Sequence, residues 1–264
     1  MSETKSRNHH PILAFHKVDD RFEWGITRVT PHRFQRVIRY LSDNAYTSLP
    51  LEKLTENKIP VGPAVTLTFD DAYENIMDHA VPPMQELGFT GTVFVIAGYI
   101  GRENTWDVNL GGKRFRHLSW EQIRQLHSMG WEIGSHGCCH VDLTRLTLKE
   151  LIREIRVSKC ILEDGLNNKI RFISFPFGRY NQRVIDSCQE EGYICGCALI
   201  KKNHDYIHES FVLQRKAYYL FDGINSLKAK MGGRFIVPEM WKLKLINEFS
   251  SGTVWVKNGF LRKR

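Results

Sequence analysis

The chain has 264 residues, 42% of them hydrophobic and 25% charged, which is enough apolar material for one large domain with a sizeable core and excludes disorder as the default state. A net charge of +8 and a sequence pI near 9.2 favour acidic partners such as anionic glycans, lipid headgroups or nucleic acid, and say nothing about fold. No run approaches the ~18 apolar residues of a membrane span, and the charged N-terminus has no apolar stretch behind it, so neither an anchor nor a secretory signal is expected.

Residues 1–10 read as a disordered tail. Ile12 to Phe15 then reads as a strand, and Pro31 to Asn44 as a helix with Phe34, Val37, Ile38 and Leu41 on one face. Val65 to Phe69 is a clear strand, Asn75 to Leu87 a helix interrupted near Pro82-Pro83, and Thr92 to Ile96 a β-branched strand. Ser119 to Met129 opens on a Ser-x-x-Gln cap and closes at Gly130. Trp131 to Gly134 is a short strand, and Thr147 to Glu163 a helix opened by a Thr-x-x-Glu box. Arg171 to Phe175 and Tyr193 to Leu199 read as strands around a helix at Gln182 to Glu191. Val212 to Leu220 and Gly223 to Met231 give a last strand and helix. Alternation of this kind argues for six to eight parallel β/α units. An open doubly wound sheet competes, but His16, Asp70, Asp71, His136 and Pro176-Phe177-Gly178 all fall just past strand carboxyl ends, and in a barrel those ends share one face.

Asp70 and Asp71 stand side by side where the apolar run Val65-Thr66-Leu67-Thr68-Phe69 stops. Burying unpaired charge there is costly, so adjacent carboxylates make sense if one holds a metal and the other moves a proton. Taken alone the pair also suits a helix N-cap. His136-Gly137-Cys138-Cys139-His140 adds two imidazoles in a tight turn, and an Asp/His/His set leaves a divalent ion such as zinc an open position for water. Cys138 and Cys139 are alternative zinc ligands, though their neighbours already supply enough. The other cysteines (Cys160, Cys188, Cys195 and Cys197) form no Cys-x-x-Cys pattern. They suit a reducing compartment, so a cytoplasmic location is expected.

At these residues the chain resembles the polysaccharide deacetylase family, the NodB-homology carbohydrate esterases. Thr68-Phe69-Asp70-Asp71 resembles its first motif, T-F-D-D-G. Ser135-His136-Gly137-Cys138-Cys139-His140 resembles the second, H-[ST]-x-x-H, and Phe175-Pro176-Phe177-Gly178-Arg179-Tyr180-Asn181 the third. Ala14-Phe15-His16 matches a Y-H step near the start of many members. The ordered set spans residues 11–231 and is closest in flavour to the poly-N-acetylglucosamine deacetylase branch.

The resemblance implies an α/β fold, a distorted (β/α) barrel of about seven units, and metal-dependent removal of acetyl groups from sugars. Carried over, Asp70 is the general base, and Asp71, His136 and His140 hold one divalent ion, Zn2+ before Co2+ or Ni2+. The Phe177 amide, in a turn fixed by Pro176, stabilises the oxyanion. His16, Trp106 and Tyr180 are candidate substrate contacts; Trp120 is expected in the core. Several positions depart from the pattern. Ala72 replaces a glycine, Gly137 replaces Ser/Thr, and Ser174 stands where the third motif often has an arginine. Arg171 or Arg179 is then the candidate to orient Asp70. The last two motifs are not recognisable and the general acid is unassigned, with His204 and His208 as substitutes.

The expected function is hydrolysis of an acetyl group, N-acetyl before O-acetyl, on a polysaccharide or lipid-linked glycan precursor. The alternative is an impaired barrel that binds glycans without turnover. Nucleic acid is not an expected partner, because the positive charge is dispersed and no binding motif is present. The basic aromatic extension at 232–264, with Trp241, Leu245 and Phe249 among lysines, is read as a helix packed on the barrel or as a peripheral contact with anionic lipid at the inner face of a membrane.

Overall fold

The computed structural model describes residues 10–21, 26–56, 58–106, 114–200 and 211–232. Strand β1 (Ile12–Phe15) is followed by two short outlying strands, β2 (Lys17–Val18) and β3 (Arg28–Val29), that pair with each other. Helix α1 (Pro31–Asp43), β4 (Thr47–Ser48), α2 (Leu51–Thr55) and β5 (Ala64–Phe69) come next. Two short helices, α3 (Ile76–His79) and α4 (Val81–Glu86), lead to β6 (Thr92–Val95). The remaining units are α5 (Trp120–Ser128) with β7 (Glu132–Ser135), α6 (Leu148–Leu166) with β8 (Phe172–Ser174), and α7 (Gln182–Glu190) with β9 (Cys195–Leu199). Strand β10 (Val212–Ala217) and α8 (Ile224–Met231) close the series.

Seven strands close on themselves in the order β1-β10-β9-β8-β7-β6-β5 and back to β1, every pairing parallel, with β4 appended to β5. This is the distorted (β/α) barrel expected from the sequence. Closure follows from composition: β1 and β5 are buried at every position, and an apolar strand covered on both faces has no place at an open edge. Phe15, Phe34, Phe69 and Trp131 interlock between barrel and helices, with neighbouring ring centroids 5.2–5.8 Å apart.

The helices begin where their caps say. Thr30 accepts from the Arg33 amide, and Pro31 occupies a first-turn position that needs no N–H. Both capping boxes form, Ser119 with Gln122 and Thr147 with Glu150. Two expectations need correction. The interruption falls at Ala80, and Pro82-Pro83 lie inside the first turn of α4, where proline costs no hydrogen bond. Strand β10 ends at Ala217 and not Leu220, because the chain turns about Asp222, whose Oδ2 accepts the Tyr219 amide at 2.7 Å and whose carbonyl accepts the Tyr218 hydroxyl at 3.0 Å.

Trp120 packs partly buried against the core, as expected, and α6 makes room for it with Gly165. A Cβ there would stand 2.0 Å from the Trp120 ring. Gly165→Ala is therefore expected to destabilise by ~1–3 kcal/mol through overpacking, where the same change in an unobstructed helix gains about 1 kcal/mol. Urea unfolding followed by tryptophan fluorescence reads the sign.

None of the described helices is long and apolar enough to cross a membrane. The tail at 1–9, His204, His208 and the extension beyond Gly232 lie outside the described residues.

Candidate active site

The carboxyl ends of β1, β5, β7 and β8 meet at one mouth of the barrel. Asp70 follows β5, with its amide donating to the Phe15 carbonyl at 2.9 Å, and His136 follows β7, with its amide on the Val95 carbonyl at 2.8 Å. Asp70, Asp71, His136 and His140 are all buried. The backbone is unusual here: Asp71, Ala72, His140 and Phe177 have φ of 67°, 55°, 52° and 59°. Left-handed conformations cost non-glycine residues ~1–2 kcal/mol each and collect at functional sites. Ala72 thus adopts the conformation that suits a glycine. Gly137 has φ 75°, and a Cβ on it would lie 3.0 Å from Glu154 Oε1, which accounts for glycine where Ser or Thr was anticipated.

Asp71 Oδ1 lies 3.4 Å from His136 Nε2 and 3.5 Å from His140 Nε2. Ligand atoms on a tetrahedral ion with bonds of ~2.1 Å stand about 3.4 Å apart. His136 Nδ1 donates to the Ser174 carbonyl at 2.8 Å, which puts the ring proton on that side and turns the Nε2 lone pair toward the carboxylate. Asp71 Oδ1 is itself buried with no hydrogen-bond donor in place. A carboxylate oxygen and imidazole lone pairs that face one another need a cation between them. The three side chains therefore fit a divalent ion with nitrogen and oxygen ligands.

The electrostatics agree. Burial pushes the Asp71 carboxyl up, but His136, His140 and His16 outweigh it and hold it well below the usual carboxylate range. Burial lowers the His136 imidazole, and Asp71 and Asp70 more than reverse that. A field that favours a proton on His136 favours a metal cation equally well.

Asp70 is held by a residue absent from the sequence reading. Arg215 of β10, 1% exposed on its side chain, donates to both Asp70 oxygens at 2.8 Å, and it also donates to Thr68 Oγ1 at 2.9 Å and Ser174 Oγ at 2.7 Å. Neither arginine expected to do this takes part: Arg171 pairs with Glu52 and Arg179 with Asp142. The reason is barrel geometry, since side chains from alternate strands share an interior layer. Around the ring β10 stands two strands from β8 on one side and two from β5 on the other, so the Arg215 guanidinium meets Thr68 and Ser174 at one level. The small Ser174 leaves room there for a guanidinium arriving from β10. Burial raises the Asp70 carboxyl, but the Arg215 charge, helped by His136 and His16, brings it down to about 2.

His16, at the end of β1, lies with Nε2 3.9 Å from Asp70 Oδ2, and burial lowers its pKa. His117, also unforeseen, bonds through Nδ1 to the Asp71 carbonyl at 2.7 Å and accepts the Trp106 indole N–H on Nε2 at 3.0 Å. Trp106 is thereby set against His140, ring centroids 3.9 Å apart. Pro176–Gly178 form a tight 3-10 turn, and the Phe177 ring stands 4.7 Å from His140. Tyr180 stacks on Phe175 at 5.2 Å and its hydroxyl accepts from Gln214 at 3.1 Å. An open cleft of about 730 Å³, lined by Tyr99, Arg102, Thr105, Arg116 and Cys139, adjoins the site through the neighbours of Trp106 and His140.

The sequence profile of the family described as polysaccharide deacetylase matches residues 57–195, more than half of the chain. YxkH of Bacillus subtilis, which carries a provisional polysaccharide deacetylase name, is 30% identical over 190 residues, covering 70% of this chain and 63% of its own. The poly-beta-1,6-N-acetyl-D-glucosamine N-deacetylase of Staphylococcus aureus is 22% identical over 187 residues, 66% of this chain and 62% of its own. The chain thus spans somewhat less than two thirds of the length of these relatives. Among solved structures, the deacetylase PplD of Streptococcus pyogenes, in complex with acetate, superposes with a TM-score of 0.73 at 22% identity, over 84% of this chain and 97% of that one. At that identity the likeness concerns the fold.

Proposed function

The chain belongs to the polysaccharide deacetylase family, and from that premise we propose that it hydrolyses an N-acetyl group from a sugar of a polysaccharide or lipid-linked glycan precursor. The observation that carries this is the convergence of Asp71 Oδ1 with the Nε2 atoms of His136 and His140 beside an arginine-held Asp70. The amide-cleaving form is favoured by the likeness to a poly-N-acetylglucosamine N-deacetylase.

In this reading Asp71, His136 and His140 hold one divalent cation, zinc by the chemistry of its donor set. When bound, such an ion polarises the acetyl carbonyl and lowers the pKa of water. Asp70, ionised across the physiological range because Arg215 holds its carboxyl near 2, accepts the proton of the attacking water. The Phe177 amide, presented by the Pro176 turn, donates to the carbonyl oxygen as it gains charge, a contribution of about 3–4 kcal/mol for one well-aimed donor. His16 Nε2 lies 3.9 Å from Asp70 Oδ2, and we assign it the return of the proton to the departing amine. Acetate and the free amino sugar leave. His117 acts at one remove, through the Asp71 backbone and Trp106.

Elemental analysis of wild type and His136→Ala tests the premise. The variant is expected to hold about one equivalent of divalent metal less than the wild type, with acetate release from N-acetylglucosamine oligomers lost in parallel. A wild-type protein that takes up no metal after incubation with zinc, cobalt or nickel overturns the hydrolase reading and favours a glycan-binding barrel.

A further inference from the structure

A second set of metal-ligating side chains converges at the corner of the turn between His136 and His140. The sulfurs of Cys138 and Cys139 and a carboxylate oxygen of Glu154 all lie within 4.8 Å of one another. None of the three has a part in the proposed hydrolysis. Cys139 is exposed and Cys138 half-buried, both as free thiols, so a cation can reach them from the cleft that Cys139 lines.

The group is held in place before any ligand arrives. Glu154 Oε1 accepts the amides of Cys138 and Cys139 at 2.8 and 2.6 Å, which fixes both the carboxylate and the peptide units carrying the thiols. From the other side the Gly98 amide donates to the Cys138 carbonyl at 2.9 Å. A Cβ on Gly98 would stand 2.6 Å from that oxygen and 3.4 Å from Cys138 Sγ, so the close approach depends on glycine. Helix α6, which carries Glu154, is anchored by its own capping box.

Two thiols and one carboxylate form a soft donor set. It suits zinc or cadmium and suits magnesium or calcium poorly, since those prefer six or more oxygens. We propose that Cys138, Cys139 and Glu154 form a second cation site, selective for thiophilic divalent ions, on the turn that carries the two histidines. Each thiol gives up its proton to solvent on ligation. Because His140 follows Cys139 directly and holds a left-handed backbone, filling this site strains the turn, and excess thiophilic metal is expected to inhibit.

The test is a titration of the reduced full-length chain with cadmium, read by equilibrium dialysis and by the sulfur-to-cadmium charge-transfer absorption. Wild type is expected to bind two equivalents and develop the band. His136→Ala should keep the band while losing the other equivalent, which separates this site from the proposed catalytic one. Cys138→Ser/Cys139→Ser should bind the second equivalent at least tenfold more weakly and lose the band. Should the double variant not fold, Cys139→Ser, altered only at an exposed side chain, gives the same reading. A band that survives either serine variant, or a wild type with one equivalent and no band, overturns the proposal; survival would move the thiolate ligand to another cysteine such as the exposed Cys160.

Discussion

Asp70→Asn is expected to lower the rate of acetyl release by ~10²–10⁴-fold, the usual contribution of a positioned general base, while the protein retains the metal content of the wild type. The amide matches the carboxylate in shape and can still accept from Arg215, but it cannot take a proton from water. Metal content and steady-state rates on the same preparation separate this from loss of the cation site. The same substitution alters the acid stability. The Asp70 carboxyl is lowered from 3.8 unfolded to about 2 folded, so its ion pair stabilises fully above pH 3.8 and that contribution fades as pH falls through about 2. A shift of this size corresponds to roughly 2 kcal/mol. Urea midpoints measured at pH 5 and near pH 2 should therefore fall less in Asp70→Asn than in wild type. An equal fall in both proteins would show that the Arg215 pair does not hold the carboxyl down.

The second large effect is expected at Arg215→Met. Removing the guanidinium leaves Asp70 buried and without its bidentate partner, and breaking a buried pair from one side costs about 3–5 kcal/mol. Burial is the largest influence on this carboxyl and acts upward, so without Arg215 its pKa rises and the acid limb of the rate profile moves to higher pH. That displacement identifies Arg215 as a positioning residue; a merely structural role would lower the amount of folded protein and leave the profile where it was. Arg215→Lys is not expected to rescue, because a single ammonium cannot reach both Asp70 oxygens together with Thr68 and Ser174. In Asp70→Asn/Arg215→Met neither charge is left without its partner. The stability cost of the pair should then be smaller than the sum of the single costs, as coupled neighbours show.

The strand that carries Arg215 illustrates where sequence reading stops. Val212 to Ala217 is legible as a strand, but its Gln214-Arg215-Lys216 stretch looks like a solvated polar segment. The available signal was negative: the arginine anticipated two residues before Pro176 is Ser174, and an aspartate in a closing barrel still needs a cation. Which arginine answers depends on register across the ring, 145 residues apart in the chain. Arg171 and Arg179 were nearer in sequence, yet Arg171 sits at the amino end of β8, away from the mouth, and pairs with Glu52, while Arg179 pairs with Asp142. His117 was missed for a similar reason. Its partner is a backbone carbonyl 46 residues away, and no pattern of side-chain types announces that kind of bond. Trp106 was named as a candidate substrate contact, and its seat on His140 comes from the His117 hydrogen bond.

What the sequence determined by itself is what depends on neighbours along the chain. Alternating apolar runs and capped amphipathic stretches dictate β/α units. Thr68-Phe69-Asp70-Asp71 and the His136–His140 spacing bring carboxylates and imidazoles to strand ends. Pro176 shapes its own turn. Even the vicinal thiols stand side by side by covalent connection alone. The tertiary structure decided what depends on approach from elsewhere: that seven strands close, that Arg215 pairs with Asp70, that His16 lies beside it, and that Glu154 fastens the cysteine turn. The division has a physical cause. Local periodicity and capping act within a few residues, whereas a guanidinium crossing a barrel interior has its place set by strand register and by the volume its neighbours leave open. Ser174 and Arg215 carry little meaning apart, and together they define one layer of the site.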